Sequence, residues 1–186
     1  MSTKALIGIL LAGTAGIVVF LYIHLTSNPH QPIKIGATPA EACDKTKGDC
    51  LPEVSYTDID GKAYSPQSLK GKVVVANFWA TWCGPCKSEI PALSKVYDRY
   101  KAKGVVFLGL MMDNPSDSDL LNFRSDFEMS YPIVRAGNDV VVSYGNPQAL
   151  PTTFVFNRSG KQVYTKVGPL NEAALSSLLD QYVAEK

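Results

Sequence analysis

At 186 residues, 46% of them hydrophobic and 19% charged, the chain has room for one packed domain plus an appendage and is too apolar to be disordered throughout. Its formal net charge of +1, with Lys and Arg spread along the chain, argues against a nucleic-acid binder.

The first composition shift comes at once. Residues Ala5 to Ile23 run 19 positions without a charge, about 28 Å as a helix and close to the hydrocarbon thickness of a bilayer. An uncleaved transmembrane anchor over 1–25 is the expectation, with a cleaved signal peptide as the alternative. The run is longer than a usual signal core, and no A-x-A-like site or lipoprotein cysteine follows it in HLTSNPHQP. Lys4 precedes the span while Lys34, Lys45 and Lys47 follow, so the positive-inside count leaves orientation undecided. Gly8, Ala12 and Gly16 recur on one helical face and offer a close-packing stripe for a second span. Residues 26–52 have no sustained periodicity and read as a tether, which carries Cys43 and Cys50.

From 53 to 186 the pattern alternates. Val54 to Asp58 is strand-like and Asp60-Gly61 a turn. Val73 to Trp79 is nearly all apolar and β-prone, as a strand covered on both faces would be. The next segment places Ile90, Leu93, Val96, Tyr97 and Tyr100 at helical spacing and stops at Gly104 after two lysines. Val105 to Met111 is a second buried strand. Asp117 to Met129 reads as a helix with Ser116 as its cap. Thr153 to Phe156 and Gln162 to Lys166 form a hairpin across Arg158-Ser159-Gly160. Asn171 caps a last helix carrying Leu175, Leu178, Leu179, Tyr182 and Val183. This order implies an α/β fold with a central mixed sheet flanked by helices.

The chemistry-bearing stretch is WATWCGPC, Trp79 to Cys86. A structural zinc site wants four ligands, usually from two close cysteine pairs. Cys43 and Cys50 are too widely spaced for that, and the only histidines are His24 and His30. A disulfide closing so short a loop is a poor staple. Exchange chemistry fits better. Cys83 falls at the start of a helix that follows a buried strand, where unpaired amides and the helix dipole stabilise a thiolate. Pro85 suits the first turn, and Lys87 adds positive charge. Cys86, one turn further in, suits the resolving thiol.

FWATWCGPC after an apolar strand resembles the thioredoxin superfamily and, more narrowly, the membrane-anchored TlpA/ResA-like thiol–disulfide oxidoreductases. The similar segments are Thr57 to Lys62, Leu69 to Val75, Asn77 to Cys86, Lys87 to Pro91 and Leu150 to Phe154. The resemblance implies a thioredoxin-like fold and a cis-proline at Pro151 beside the cysteines. It also implies a substrate strand docking on the Leu150 backbone, an acid at Glu89 to exchange the Cys86 proton, and a helix bend at Pro91. For Glu89 the competing reading is a solvated first-turn glutamate. Trp82, Gly84, Pro85 and Leu150 are the expected substrate-contact residues. Thioredoxins proper carry aspartate before FWA, whereas this chain has Asn77, as TlpA-like members commonly do. The buried-acid role therefore falls to Glu89, to water, or to nothing.

Cys43 and Cys50 are expected to bond to each other as a structural disulfide, which requires an oxidising compartment; free thiols or partnership with Cys83–Cys86 are alternatives. The resemblance implies a single-pass protein of the inner or cytoplasmic membrane with its domain on the periplasmic side. It would reduce extracytoplasmic protein disulfides, drawing electrons from a membrane thiol reductase. No cofactor beyond the cysteine pair and no metal is expected. The competing functions are a disulfide oxidase or isomerase and a copper-binding assembly factor, the latter weakened by the absence of histidine from 53–186. A peroxidase fits poorly, since Ala80 and Ala76 stand where its Thr/Ser and Pro would be.

Overall fold

The computed structural model describes residues Cys43–Ala184. The anchor expected over 1–25 and the tether up to residue 42 lie outside the described residues. Among those described, no helix is long and apolar enough to cross a membrane.

A small antiparallel hairpin comes first, β1 (Tyr56–Thr57) and β2 (Ala63–Tyr64). The strand expected over Val54 to Asp58 is cut short because Asp58 turns its carboxylate back on the chain. Its Oδ1 accepts from the Asp60 and Lys62 amides and its Oδ2 from the Tyr64 hydroxyl. A four-residue helix α1 (Pro66–Leu69) follows, capped by Ser65 with proline in its first turn.

β3 (Val73–Trp79) is buried at every position and forms the middle of a five-stranded sheet ordered β5-β4-β3-β6-β7. β4 (Val105–Met111) and β5 (Ile133–Arg135) run parallel to it; β6 (Thr152–Phe156) is antiparallel, with β7 (Gln162–Val167) antiparallel to β6. The strand period of two splits β3 between two apolar layers. Val73, Val75 and Trp79 pack with α2 (Gly84–Tyr100) and α5 (Glu172–Val183), through Ile90, Leu93, Val96, Leu175 and Leu179. Val74, Ala76 and Phe78 face Tyr56, Leu69, Val140 and Tyr144 on the other side. The mixed sheet flanked by helices that the order of elements implies is thus the fold this chain adopts.

The caps follow the expectation. Ser116 caps α3 (Asp117–Asp126), and Asn171 accepts from the Ala174 amide to start α5. α3 stops at Asp126 rather than Met129 because Glu128 takes a positive φ of 49°, which turns the chain back toward β5. The six-residue α4 (Asn138–Ser143) had no helical signature, since Gly137 supplies no side-chain cap and three of its residues are valine.

Before β1, the chain is fastened to the end of the β6–β7 hairpin. The Leu51 amide donates to Gly160 O at 2.7 Å, the Gln162 amide to Asp49 O at 2.7 Å, and Cys50 bridges Lys161. Cys43 and Cys50 are joined to each other as a disulfide, with their Cα atoms 5.0 Å apart.

Gly109, in the middle of β4, has no space for a side chain. A Cβ there would lie 2.9 Å from Tyr131 Cε2 and 3.0 Å from Pro132 O, a backbone atom that cannot give way cheaply. Gly109→Ala is expected to destabilise the fold by about 1–3 kcal/mol, read as a lower urea midpoint with an unchanged m-value.

Candidate active site

The site lies beyond the carboxyl end of β3, where open α/β sheets place their reacting groups. The strand leaves the core at Trp79, crosses Ala80 to Trp82, and enters α2 with Cys83 as its N-cap residue. Cys83 has extended dihedrals (φ −78°, ψ 106°), and its Sγ accepts from the Cys86 amide at 3.2 Å. That N–H is one of the donors a helix start leaves without a partner, and it is aimed at the sulfur. Cys83 and Cys86 are joined as a disulfide. Of the two, Cys86 is completely buried and Cys83 retains 4% exposure, while the neighbouring Trp82 is 70% exposed. Approach is therefore from the Trp82 and Cys83 side. Lys87 lies with Nζ 6.0 Å from the Phe127 ring centroid, and α2 continues through Pro91 as one helix.

The loop before the cysteines is held from β4. Both Asp113 carboxylate oxygens accept from the Thr81 amide at 3.2 Å, and the Thr81 hydroxyl donates to Asp113 Oδ2. The Met112 amide donates to Trp79 O at 2.9 Å. Neither Thr81 nor Asp113 stood out in the sequence. The available signal was position: Asp113 comes just after β4, and β4 pairs with β3 in register up to Trp79↔Met111.

Glu89 is not the solvated first-turn glutamate that competed with the acid reading: it is 2% exposed. Its Oε1 accepts from Asn77 Nδ2 at 2.9 Å and its Oε2 from the Leu170 amide at 2.8 Å. Burial pushes its carboxyl above the usual carboxylate range, and the Leu170 and Asn77 donors pull the other way. A cavity of about 390 Å³, lined also by Ser88, Ala92, Pro169, Leu170 and Glu172, reaches this residue. The Tyr131 hydroxyl is buried with no hydrogen-bond partner among the described residues. Burial, and after it the charge of Glu89, hold its phenol well above the ordinary tyrosine range.

The Leu150–Pro151 peptide is cis. Pro151 is buried and Leu150 half-buried, packing against both apolar layers. No cluster of metal-ligating side chains occurs among the described residues.

Comparison with known proteins agrees with this geometry. The redoxin family model matches residues 46–182. The chain is 35% identical over 140 residues to the thiol–disulfide oxidoreductase ResA of Bacillus thuringiensis (strain Al Hakam), covering 73% of this chain and 80% of that protein. With ResA of Bacillus subtilis (strain 168) it shares 31% identity over 137 residues, covering 73% and 75%.

The chain belongs to the redoxin family. Within it, the protein is a ResA-like member of the thioredoxin superfamily and an enzyme of protein thiol–disulfide exchange. Among solved structures, it resembles the thiol:disulfide interchange protein of Chlorobium tepidum TLS at a TM-score of 0.67 and 30% identity, covering 73% of this chain and 96% of that one. StoA of Bacillus subtilis is similar at a TM-score of 0.58 and 26% identity, covering 68% and 95%.

In this redoxin the raised Glu89 carboxyl sets a pH signature. The folded state holds the Glu89 proton to a higher pH than the unfolded chain does. Its contribution to stability is therefore full below the ordinary carboxylate range and is lost as pH rises toward the folded-state value. Urea unfolding from about pH 4 to 8 is expected to show the stability of the wild type falling relative to Glu89→Gln across that window, then holding a constant difference. Parallel curves for the two proteins would mean Glu89 titrates as it does in the unfolded chain.

Proposed function

We propose that the protein is a membrane-anchored reductant of extracytoplasmic protein disulfides, working through Cys83 and Cys86. The observation that carries this reading is the Cys83 sulfur at the N-cap of α2, accepting the Cys86 N–H across a Gly84-Pro85 pair. A helix start favours thiolate over thiol. Gly-Pro is the thioredoxin dipeptide, and thioredoxin, at about −270 mV, lies at the reducing end of this chemistry.

In the proposed cycle the Cys83 thiolate attacks one sulfur of a substrate disulfide and expels the other as a thiolate. This gives a mixed disulfide. Cys86 then gives up its proton, with Glu89 as acceptor, and its thiolate attacks Cys83 Sγ. The substrate leaves with both its sulfurs reduced, having gained two electrons, and Cys83–Cys86 is left oxidised. A buried carboxylate with a raised proton affinity suits that transfer better than a solvated one. The substrate would lie over Trp82, Gly84 and Pro85 and along the Leu150–Pro151 backbone. The exposed indole of Trp82 supports that surface.

The membrane part of the proposal rests on the uncharged run Ala5 to Ile23 and on the family resemblance. It assigns 1–25 to the anchor, 26–52 to the tether and 53–186 to the catalytic domain. The Cys43–Cys50 disulfide supports an oxidising compartment. Apocytochrome c thiol pairs and copper-site cysteines of oxidase assembly factors are the substrate classes that the resemblance favours. Electrons would come from a membrane reductase supplied by cytoplasmic thioredoxin.

The deciding experiment equilibrates the full-length protein in detergent with glutathione buffers and scores the redox state of Cys83–Cys86 by thiol alkylation and peptide mapping. A midpoint near that of thioredoxin is expected. A value near about −120 mV, as in DsbA, would make the protein an oxidant of its clients and overturn the reductant reading. In the same preparation Cys86→Ser should accumulate a mixed disulfide on Cys83 with a disulfide-bonded protein substrate, and Cys83→Ser should accumulate none.

A further inference from the structure

Asn77 and Thr153 are cross-strand partners in the β3–β6 pairing, so their side chains rise from the same face of the sheet. That is the face covered by α2, since Val73, Val75 and Trp79 alternate with Asn77 on it. Between them the NH2 group of Asn77 is fully used. One of its N–H hydrogens goes to Glu89 Oε1 and the other to Thr153 Oγ1, each with a donor–acceptor distance of 2.9 Å. Its carbonyl oxygen, Oδ1, is buried with no partner among the described residues. The two N–H bonds are therefore the anchorage of this amide, and all three residues are at most 2% exposed.

We propose that Thr153 is a positioning residue for Glu89: by accepting the second N–H of Asn77, its hydroxyl fixes the amide with its donor face toward the carboxylate. The proposal rests on the reading of Glu89 as the acid of the exchange reaction. Turning the amide over would set its oxygen against the Glu89 carboxylate, which is repulsive when the acid is ionised. Removing the Thr153 hydroxyl strands one N–H in the core and leaves the amide on a single bond, which costs more than a typical hydrogen bond contributes. Thr153 is the second residue of β6, and the cis Leu150–Pro151 peptide immediately precedes that strand. The segment proposed to receive substrate thus leads directly into the strand that carries the residue orienting the acid.

The other groups around Glu89 come from each element that packs on it. Its own helix carries Cys83 and Cys86. The Leu170 amide, just before α5, binds Oε2. The Tyr131 phenol interacts with it electrostatically. Glu172 lines the same cavity and is paired with Arg99 at 2.6 Å. None of these replaces the Asn77 donor at Oε1.

The test is a ¹³C-carboxyl NMR titration of Glu89 in the full-length oxidised protein, for the wild type, Thr153→Val and Thr153→Ser. Valine keeps the shape and strand preference of threonine but accepts no hydrogen bond. Its Glu89 midpoint should rise by about one pH unit, because a donor to the charged form is loosened, and serine should restore the wild-type value. The pH profile for resolution of a Cys83 mixed disulfide should move in the same direction. A structural role alone would lower the unfolding midpoint and leave the titration in place. An unchanged Glu89 midpoint in folded Thr153→Val would overturn the proposal; if that variant does not fold, Thr153→Ala is titrated in its place and judged by the same criterion. Failure of the acid reading shows itself separately, as a resolution profile in Glu89→Gln that matches the wild type.

Discussion

The structure depends on one strand being buried on both faces. β3 has no solvent side, so its alternate residues hold two apolar layers together, and its direction and height in the sheet are over-determined. Everything chemical is hung from its end. Five residues past Trp79 the chain has entered α2, and the first sulfur stands at its N-cap because strand and helix are each fixed by their own core. The Asp113 clamp on Thr81 and the Met112 bond to Trp79 O remove the remaining freedom of the short connection. A thiol on a mobile loop would meet the helix amides only part of the time; here the Cys86 N–H is already directed at Cys83 Sγ.

The same strand admits one polar side chain to an otherwise apolar layer. Asn77 would be a liability alone, since a buried amide without partners is costly. It becomes tolerable because Glu89 and Thr153 take both its hydrogens, and Glu89 in turn takes the Leu170 amide. The balance is incomplete, as Asn77 Oδ1 and the Tyr131 hydroxyl go unpaired among the described residues. At Glu89 itself, desolvation by burial outweighs the Leu170 and Asn77 donors, which favour the charged form. The carboxyl therefore holds its proton more tightly than a solvated one would.

Legibility in the sequence followed the strength of local signals. β3 and β4 were visible as unbroken apolar runs, α2 and α5 as helical stripes with caps, and the β6–β7 hairpin by its Ser159-Gly160 turn. Short elements were not. β5 has three residues, and α4 is a valine-rich helix without a side-chain cap, so both are held by their neighbours rather than by their own sequence. The cysteine pair, Glu89 and Pro151 were recognisable from spacing and resemblance. Thr153 was written in the sequence only as a polar letter in TTFVF. Its role comes from being opposite Asn77, a long-range register that no local pattern encodes. Thr81 and Asp113, 32 positions apart, were hidden for the same reason.

The two disulfides divide along the length of the central strand. The β6–β7 turn that receives Asp49, Cys50 and Leu51 follows Phe156, and Phe156 pairs with Val74 near the start of β3. Cys83 follows the other end. Each pair is closed within itself, Cys43 on Cys50 and Cys83 on Cys86. The Cys43–Cys50 bond closes a short loop, where the loss of unfolded-state entropy is smallest. Its consequence is local: it holds the segment that hydrogen-bonds along the beginning of β7. That covers part of an edge strand, and β7 shows solvent its Thr165, Lys166 and Val167 beyond the covered stretch. A lysine on an open edge discourages pairing with another chain. The fold thus closes its vulnerable edge at one end of the sheet and leaves its reactive sulfur approachable only at the other.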